Sequence, residues 1–172
     1  AFIKSGGKVI WAQDADEACS EVLGIILKSG ATSIVKSKTL TADEISLGKE
    51  LKKVSKSWTE TDLGDYILQL SGEEPSHMVM PALHKSVDDI HQIFNEITPN
   101  EPEAIAAFAA KKLKEKFEQP DIGITGANFL IADQGAIAIT ENEGNVMLAA
   151  SRPKIHIVLA GIDKIIPTIQ DL

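Results

Sequence analysis

A basic segment with two hydroxyls, Lys36-Ser37-Lys38-Thr39, is the first place in the sequence where side chains could carry chemistry. It follows an apolar run that predicts a strand and precedes a run that predicts a helix. In open sheets, ligands bind beyond the carboxyl ends of the strands, where helix N-termini face outward. Two ammonium groups and two hydroxyls there would hold a carboxylate or a phosphate. A solvated basic turn is an equal alternative, because lysine is common on surface loops.

Acidic and imidazole groups are concentrated in the segment from residue 73 to residue 85. Glu73 precedes His77, and His84 follows it at the other end of a predicted strand. This arrangement could supply a general base with an orienting carboxylate, or two metal ligands. The histidine spacing matches no recognised metal motif, so structural or capping roles are favoured. His91 falls on the apolar face of a predicted helix and is expected to have a packing role.

A glycine-rich segment follows a later predicted strand. Gly123, Gly126 and Asn128 are followed within seven residues by Asp133 and Gly135. Closely spaced glycines let the backbone approach a ligand and can form a nest of N–H groups that binds an anion. The spacing matches neither the dinucleotide-binding glycine motif nor the phosphate-binding loop. Ordinary turn geometry explains such glycines equally well.

Four oxygen-bearing side chains lie between residues 141 and 145: Glu141, Asn142, Glu143 and Asn145. They could bind a hard cation, but a cluster of this composition is more often only a turn. The sequence contains no nucleophile elbow, no H-E-x-x-H and no C-x-x-C. These residues alone therefore indicate an α/β protein with an anion-binding loop.

The elements that position these residues alternate between strands and helices. Short apolar runs predict strands at Val9–Trp11, Ser33–Lys36, Trp58–Thr61 and His77–Met80. Helical periodicity predicts helices that begin after the caps Asp14, Thr41 and Ser86. It also predicts helices over Leu63–Leu70 and from Pro102 to Phe117. Ile97 falls near the end of the helix that Ser86 caps. Taken as five strand-then-helix units, the pattern implies parallel pairing and a doubly wound α/β sheet.

The last third of the chain has a different pattern. Strands are predicted at Asp121–Ile124, Leu130–Ile131, Ala136–Thr140, Val146–Ala150 and Ile155–Ala160. The cluster Asn142-Glu143-Gly144-Asn145 is expected to be the turn that joins two of them. The sequence therefore predicts a β-rich insert on an open, mostly parallel sheet, then a closing strand and a short helix near Ile165.

Composition and charge restrict the class of protein. With 172 residues and 44% hydrophobic content, we expect one domain over residues 1–172, its first eight residues being a disordered or trimmed end. No apolar run is long enough to span a membrane. Seventeen basic against twenty-five acidic residues give a net charge of −8, which disfavours nucleic acid. Cys19 is the single cysteine, which fits a reducing, cytoplasmic compartment and rules out a cysteine-rich metal site.

Several motifs occur in the order found in one known family. They run through the chain from about Val9 to Pro167: Val35-Lys36-Ser37-Lys38, Glu60-Thr61-Asp62-Leu63-Gly64-Asp65-Tyr66-Ile67, Pro75-Ser76-His77, Pro81-Ala82-Leu83-His84-Lys85, the segment from Gly123 to Gly135, Asn142-Glu143-Gly144-Asn145 and Pro153-Lys154-Ile155-His156. This sequence resembles the LUD domain of the lactate utilization protein B family, whose members are iron-sulfur proteins. Because chance similarity would not keep this order, we treat the resemblance as informative.

The resemblance implies a Rossmann-like parallel sheet similar to the group that includes sugar-phosphate isomerases, CoA transferases and formyltetrahydrofolate cyclo-ligases. It implies a cytoplasmic bacterial subunit that supports the oxidation of L-lactate to pyruvate together with A-type and C-type partner subunits. Family members continue into a region with cysteine runs that bind [4Fe–4S] clusters, and this chain has no such runs, so we expect no cofactor and no metal in it.

The chain departs from the family pattern at two places that concern the candidate site. Asp133 and Gln134 stand where the family commonly has glutamate and threonine, and Val146 and Met147 stand where a glycine and an arginine are expected. Arg152 is close enough in sequence to replace that arginine as a partner of a substrate carboxylate.

Two functions stay open at this stage, beside a third possibility, a purely structural docking domain. The favoured one is a redox-complex subunit whose LUD domain binds a small anion or a partner, with Lys36, Lys38, His77, His84 and Asn128 facing the anion. The alternative is an autonomous enzyme that acts on a CoA ester, sugar phosphate or nucleotide through Glu73 or Glu143 and the glycine loop.

Overall fold

Seven strands form two sheets in the computed structural model, which describes residues 1–54, 57–95 and 99–172. The strands are β1 (Ile34–Lys36), β2 (Trp58–Glu60), β3 (Ile122–Gly126), β4 (Phe129–Ile131), β5 (Ala136–Ala138), β6 (Ile155–Leu159) and β7 (Ile165–Ile166). The larger sheet is wholly parallel, with the order β2-β1-β3-β6, and the smaller sheet has the order β5-β4-β7.

Helices flank the larger sheet. They are α1 (Ala15–Ser29), α2 (Leu40–Glu44), α3 (Leu47–Val54), α4 (Leu63–Ser71), α5 (Val87–Phe94), α6 (Pro102–Lys116) and α7 (Asn145–Ser151). Short 3₁₀ turns lie at Phe2–Ser5, Ile162–Lys164 and Ile169–Asp171. The predicted α/β architecture, an open parallel sheet flanked by helices with a β-rich final third, is confirmed.

The order of the strands creates a switch point between β1 and β3. The chain leaves β1 through α2 and α3 to reach β2 on one side, whereas β3 pairs with the opposite side of β1. In open α/β sheets, the crevice beyond the carboxyl ends of the strands at such a point is where ligands bind. The segment after β1 is therefore well placed for a site.

The main hydrophobic core lies between one face of the sheet and helices α1, α2 and α3. Its fully buried members are Ile34, Ala42, Leu47, Leu51, Ile122 and Ile124. On the other face, Val35 packs with Phe117 and Ala149. A third cluster, which joins α4, α5 and α6, contains Tyr66, Phe94 and Ile105.

The helix ends follow local rules that the sequence predicts. Asp14 accepts a hydrogen bond from the Glu17 amide at 2.8 Å, and Ser86 forms a reciprocal capping box with Asp89. These contacts satisfy backbone N–H groups that a helix start leaves unpaired. The predicted box at Thr41 is wrong, because α2 begins at Leu40, two residues before the start that a Thr41 cap would give, and its N-cap is Thr39.

Two of the predicted strands in the first half of the chain do not form. His77–Met80 is an exposed loop, because His77 Nδ1 accepts hydrogen bonds from the amides of Val79 (3.2 Å) and Met80 (3.1 Å) and folds the segment on itself. Val9–Trp11 is exposed and unpaired within the described part of the chain. The five predicted units therefore reduce to two strands, β1 and β2, before Phe117.

Two predictions in the last third are also wrong. The predicted strand Val146–Ala150 is helix α7, since Met147, Leu148 and the alanines that follow are helix formers and Gly144 provides the turn before them. The predicted helix near Ile165 is strand β7, which pairs in parallel with β4. Ile97, placed on the apolar face of the α5 helix by its spacing, lies outside the described residues.

No helix in the described ranges is both long enough and apolar enough to cross a membrane.

Candidate functional site

The carboxyl edge of the parallel sheet gathers a buried network of charges. Lys36 ends β1 and Glu60 ends β2, and the register places them side by side. The Lys36 ammonium donates to both Glu60 oxygens, at 2.9 and 3.1 Å, and lies 3.6 Å from an Asp43 oxygen. Lys36 is only 1% exposed. Its charge is therefore satisfied within the protein rather than presented to solvent.

Burial and charge shift the proton equilibria of this network. Burial raises the pKa of Glu60 to about 7, and the adjacent Lys36 ammonium only partly offsets this shift. Burial acts to lower the pKa of Lys36, but its Glu60 contacts dominate and raise it. Glu60 is thus a group that gains and loses a proton near neutral pH.

The second lysine of the basic segment has its own partner. Lys38 donates to Asp65 in α4 at 3.1 Å. Burial raises the pKa of Asp65, with Lys38 acting in the opposite direction. Lys38, Asp43, Asp65 and His77 line a small cleft of about 320 Å³. Carboxylates therefore stand beside the basic groups that the sequence offered to an anion.

A larger cleft, of about 700 Å³, lies on the other side of the sheet and is called here the α6–α7 cleft. Its apolar lining comes mainly from α6 and from Leu148 of α7. Its polar lining is Thr61, Lys114, Glu118, Gln119, Glu143, Asn145 and Arg152. The Asn145 side-chain amide donates to the Thr61 carbonyl at 3.2 Å and so ties α7 to the end of β2. The volume of the α6–α7 cleft is typical of clefts that bind small organic molecules.

Three hydroxyl side chains lie near the carboxyl ends of the parallel strands, on the face of the sheet that carries this cleft. Ser37 follows β1 and Thr61 follows β2, while Thr125 lies in β3. Thr125 Oγ1 lies 2.8 Å from His156 Nε2, and burial lowers the pKa of His156. The neutral form of His156 is therefore favoured at neutral pH.

Comparison with known proteins assigns nearly the whole chain to one family. The family profile for the LUD domain matches residues 2–172. The chain belongs to the LUD domain family. The LUD domain is 41% identical to Lactate utilization protein B of Shouchella clausii (strain KSM-K16) and 41% identical to that of Bacillus subtilis (strain 168), in each case over 98% of this chain. No solved structure matches it.

The relatives are much longer than the LUD domain described above. It covers 37% of the Shouchella clausii protein and 36% of the Lactate utilization protein B of Oceanobacillus iheyensis (strain DSM 14371 / CIP 107618 / JCM 11309 / KCTC 3954 / HTE831), to which it is 40% identical. Most of each relative's length therefore lies outside the match.

The site residues predicted from sequence occupy several separate places in the LUD domain. Glu143, Asn145 and Arg152 share the α6–α7 cleft, whereas Lys38 and His77 share the smaller one. Asn142 is exposed and directly precedes Glu143, which lines the α6–α7 cleft.

Glu73 and His84 meet in the exposed loop after α4. His84 Nε2 lies 3.1 Å from a Glu73 oxygen, and His84 Nδ1 lies 2.8 Å from the Ser76 hydroxyl. Glu73 also pairs with Lys85, and hydrogen bonds from Lys85 and His84 lower the pKa of Glu73. The contacts hold this loop together.

The glycine segment, Gly123 to Gly135, contributes to the β4–β5 hairpin and forms the strand that leads into it. Asn128 accepts a hydrogen bond from the Thr140 amide at 2.7 Å. Gly126 faces Thr39, whose hydroxyl would lie 2.6 Å from any added Cβ. Gly135 has a φ of +61°, and Asp133 precedes it in the turn. Each residue here has a local structural role, and ligand binding by them stays a prediction.

The sequence analysis did not single out Glu60, Thr61, Lys114 or His156 as site residues. Glu60 carries a signal that could have been used, since it is a charged residue near the end of a predicted strand, as Lys36 is. Only the strand register shows that these two charges meet across 24 residues of sequence.

Proposed function

We propose that this LUD domain belongs to an iron-sulfur subunit that supports the oxidation of L-lactate to pyruvate, and that its own task is to bind an organic acid in the α6–α7 cleft. Its relatives are named for lactate utilization and cover 98% of the chain. A-type and C-type subunits are the proposed partners of the whole protein.

The proposed [4Fe–4S] clusters would lie in the part of the protein beyond these residues. A cluster of this kind is normally held by four cysteine thiolates. Cys19 is the only cysteine in the 172 residues, and it is buried in the main core. The donor set of this domain therefore does not fit a cluster.

The observation that carries the proposed binding role is that Arg152 and Lys114 both line one cleft, together with apolar side chains and with Glu118 and Glu143. A guanidinium presents a planar pair of donors that matches a carboxylate, and lysine adds a second positive charge. The apolar lining lowers the competition from water for those contacts. Lys36 and Lys38, by contrast, are already paired with Glu60 and Asp65, so the smaller cleft, lined by Lys38 and His77, is the secondary candidate for an anion site.

Isothermal titration calorimetry with L-lactate and pyruvate tests this role. We expect Arg152→Ala to weaken binding of both acids about tenfold, the scale of one charge-assisted hydrogen bond. Lys154→Ala is the matched control, because it removes the same charge two residues away and Lys154 does not line the cleft.

An equal loss in the two variants would show a general charge effect and contradict the assignment. If neither acid binds, while CoA or ATP strongly raises the melting temperature, the alternative of an autonomous enzyme on a CoA ester or nucleotide is supported instead.

A further inference from the structure

Two buried hydroxyls lie next to each other at the carboxyl edge of the sheet. The Thr61 amide donates to the Lys36 carbonyl at 2.9 Å, which brings Thr61 alongside Ser37. Ser37 is 0% exposed and Thr61 is 2% exposed, and neither Oγ has a hydrogen-bond partner within the described ranges. An unpaired buried polar group destabilises the folded protein, because it has lost its hydrogen bonds to water. Two neighbouring ones indicate a place where another polar group belongs.

Both residues lie on the face of the sheet that carries the α6–α7 cleft, and Thr61 is the one that lines it. Thr61 lines the cleft directly, beside Asn145. Val35, two residues before Ser37, packs against Phe117 and Ala149 on this face. Because alternate residues of an extended segment share a face, Ser37 also points to this side. The hydroxyl pair therefore marks the Asn145 end of the cleft.

The positive charges mark the opposite end. Asn145 begins α7, and Arg152 follows its last residue, so seven helical steps separate them by about 10 Å. Lys114 lies near the end of α6, also toward that end. A three-carbon acid such as lactate is too short to contact both Arg152 and the hydroxyl pair.

The lining between the two ends is apolar. Ala106, Ala109 and Ala110 of α6 lie there with Leu113. Alanines leave room for a ring or a chain that a larger side chain would fill. Glu143, close to Asn145, makes the hydroxyl end unfavourable for a second anion, so a neutral donor suits that end. Glu118 reduces the net positive charge at the end that carries Arg152 and Lys114, so that end suits a single carboxylate better than a polyanion.

We infer that the α6–α7 cleft takes an elongated α-hydroxy or α-oxo acid. Its carboxylate contacts Arg152 and Lys114, its apolar body lies on α6, and a neutral hydroxyl at its far end hydrogen-bonds the Thr61 hydroxyl, next to which Ser37 lies. This inference rests on the proposed function, because it assigns a ligand class to the same cleft.

Calorimetry with three acids of increasing length tests the inference: L-lactate, phenyllactate and para-hydroxyphenyllactate. We expect affinity to rise about tenfold at each step, first from ring burial and then from the far hydroxyl. Thr61→Val, which is nearly isosteric, should remove the advantage of para-hydroxyphenyllactate over phenyllactate. Thr61→Ser should keep it, and Arg152→Ala should weaken binding of all three acids.

The stability of the ligand-free variants adds a second readout. Because the Thr61 hydroxyl has no partner, Thr61→Val should leave the free energy of unfolding unchanged or raise it. A clear loss of stability would show that the hydroxyl has a structural bond, and would overturn the inference.

The same titrations separate this inference from the proposed function. Binding of lactate with no gain for the longer acids would overturn the inference and leave the proposed function standing. If none of the three acids binds, both fail.

Discussion

At the scale of single residues, the Lys36–Glu60 pair is the most unusual feature. Two opposite charges are held side by side at 2.9 Å in a position from which solvent is nearly excluded. Pairs of this kind contribute little net stability, because desolvation opposes the attraction, but removing one partner is costly. In this fold the pair stands beside the switch point, between the two clefts.

Glu60 should titrate near pH 7. Burial raises its pKa to about 7, so carbon NMR of the side-chain carboxyls should show one glutamate with a midpoint there, lost in Glu60→Gln. A midpoint for Glu60 in the ordinary glutamate range would contradict this prediction.

The raised pKa of Glu60 also makes the free energy of unfolding depend on pH. Between the ordinary glutamate pKa of 4.5 and about 7, the folded protein keeps the Glu60 proton that the unfolded chain has lost. The contribution of Glu60 to the free energy of unfolding therefore falls as pH rises through this window and levels off above it.

At the scale of elements, the contact between β3 and α7 depends on one glycine. A Cβ on Gly123 would lie 1.8 Å from the Ala149 carbonyl oxygen and 2.8 Å from Pro153 Cγ. Since both contacts involve backbone or a rigid ring, α7 would have to move away from the sheet. The glycine that the sequence offered as a ligand contact therefore allows helix and strand to pack closely.

Gly123→Ala should lower the free energy of unfolding by about 3 kcal/mol, measured by urea denaturation. Gly24→Ala is the matched control, because Gly24 lies inside α1 with no atom within 4 Å of its added Cβ. That change should raise stability by about 0.5–1 kcal/mol through helix propensity. Similar effects of the two substitutions would argue against the close packing.

The elements also show what could be predicted from sequence. β1, β2, β3 and β6 follow from short apolar runs, and α1 and α5 follow from their caps. α7 was missed because Val146–Ala150 is a short apolar run after a turn, a pattern that a buried strand shares with a buried helix. The α6–α7 cleft could not be predicted, since Thr61 and Arg152 are 91 residues apart in sequence and line one cleft only through the packing of α6 and α7.

At the scale of the whole molecule, the main core contains the single thiol. Cys19 is 6% exposed, and its Sγ contacts the Ile45 carbonyl oxygen at 3.3 Å. Burial, followed by the nearby Glu50, raises its pKa. Because only the thiolate reacts, Cys19 combines low access with low intrinsic reactivity.

Reaction with a chromogenic aromatic disulfide should therefore be slow in native buffer and fast in denaturing urea. The native rate should increase with urea in parallel with loss of the far-ultraviolet circular dichroism signal, because Cys19 belongs to the core that joins α1 and α3 to the sheet. Rapid labelling without unfolding would show instead that α1 opens locally.

A single buried thiol makes this domain convenient for spectroscopy. A cysteine introduced at an exposed position on the rim of either cleft would be the one thiol of these 172 residues that accepts a fluorescent or spin label under native conditions. No prior removal of Cys19 would be needed. Ligand occupancy could then be followed at one chosen point on an otherwise unaltered surface.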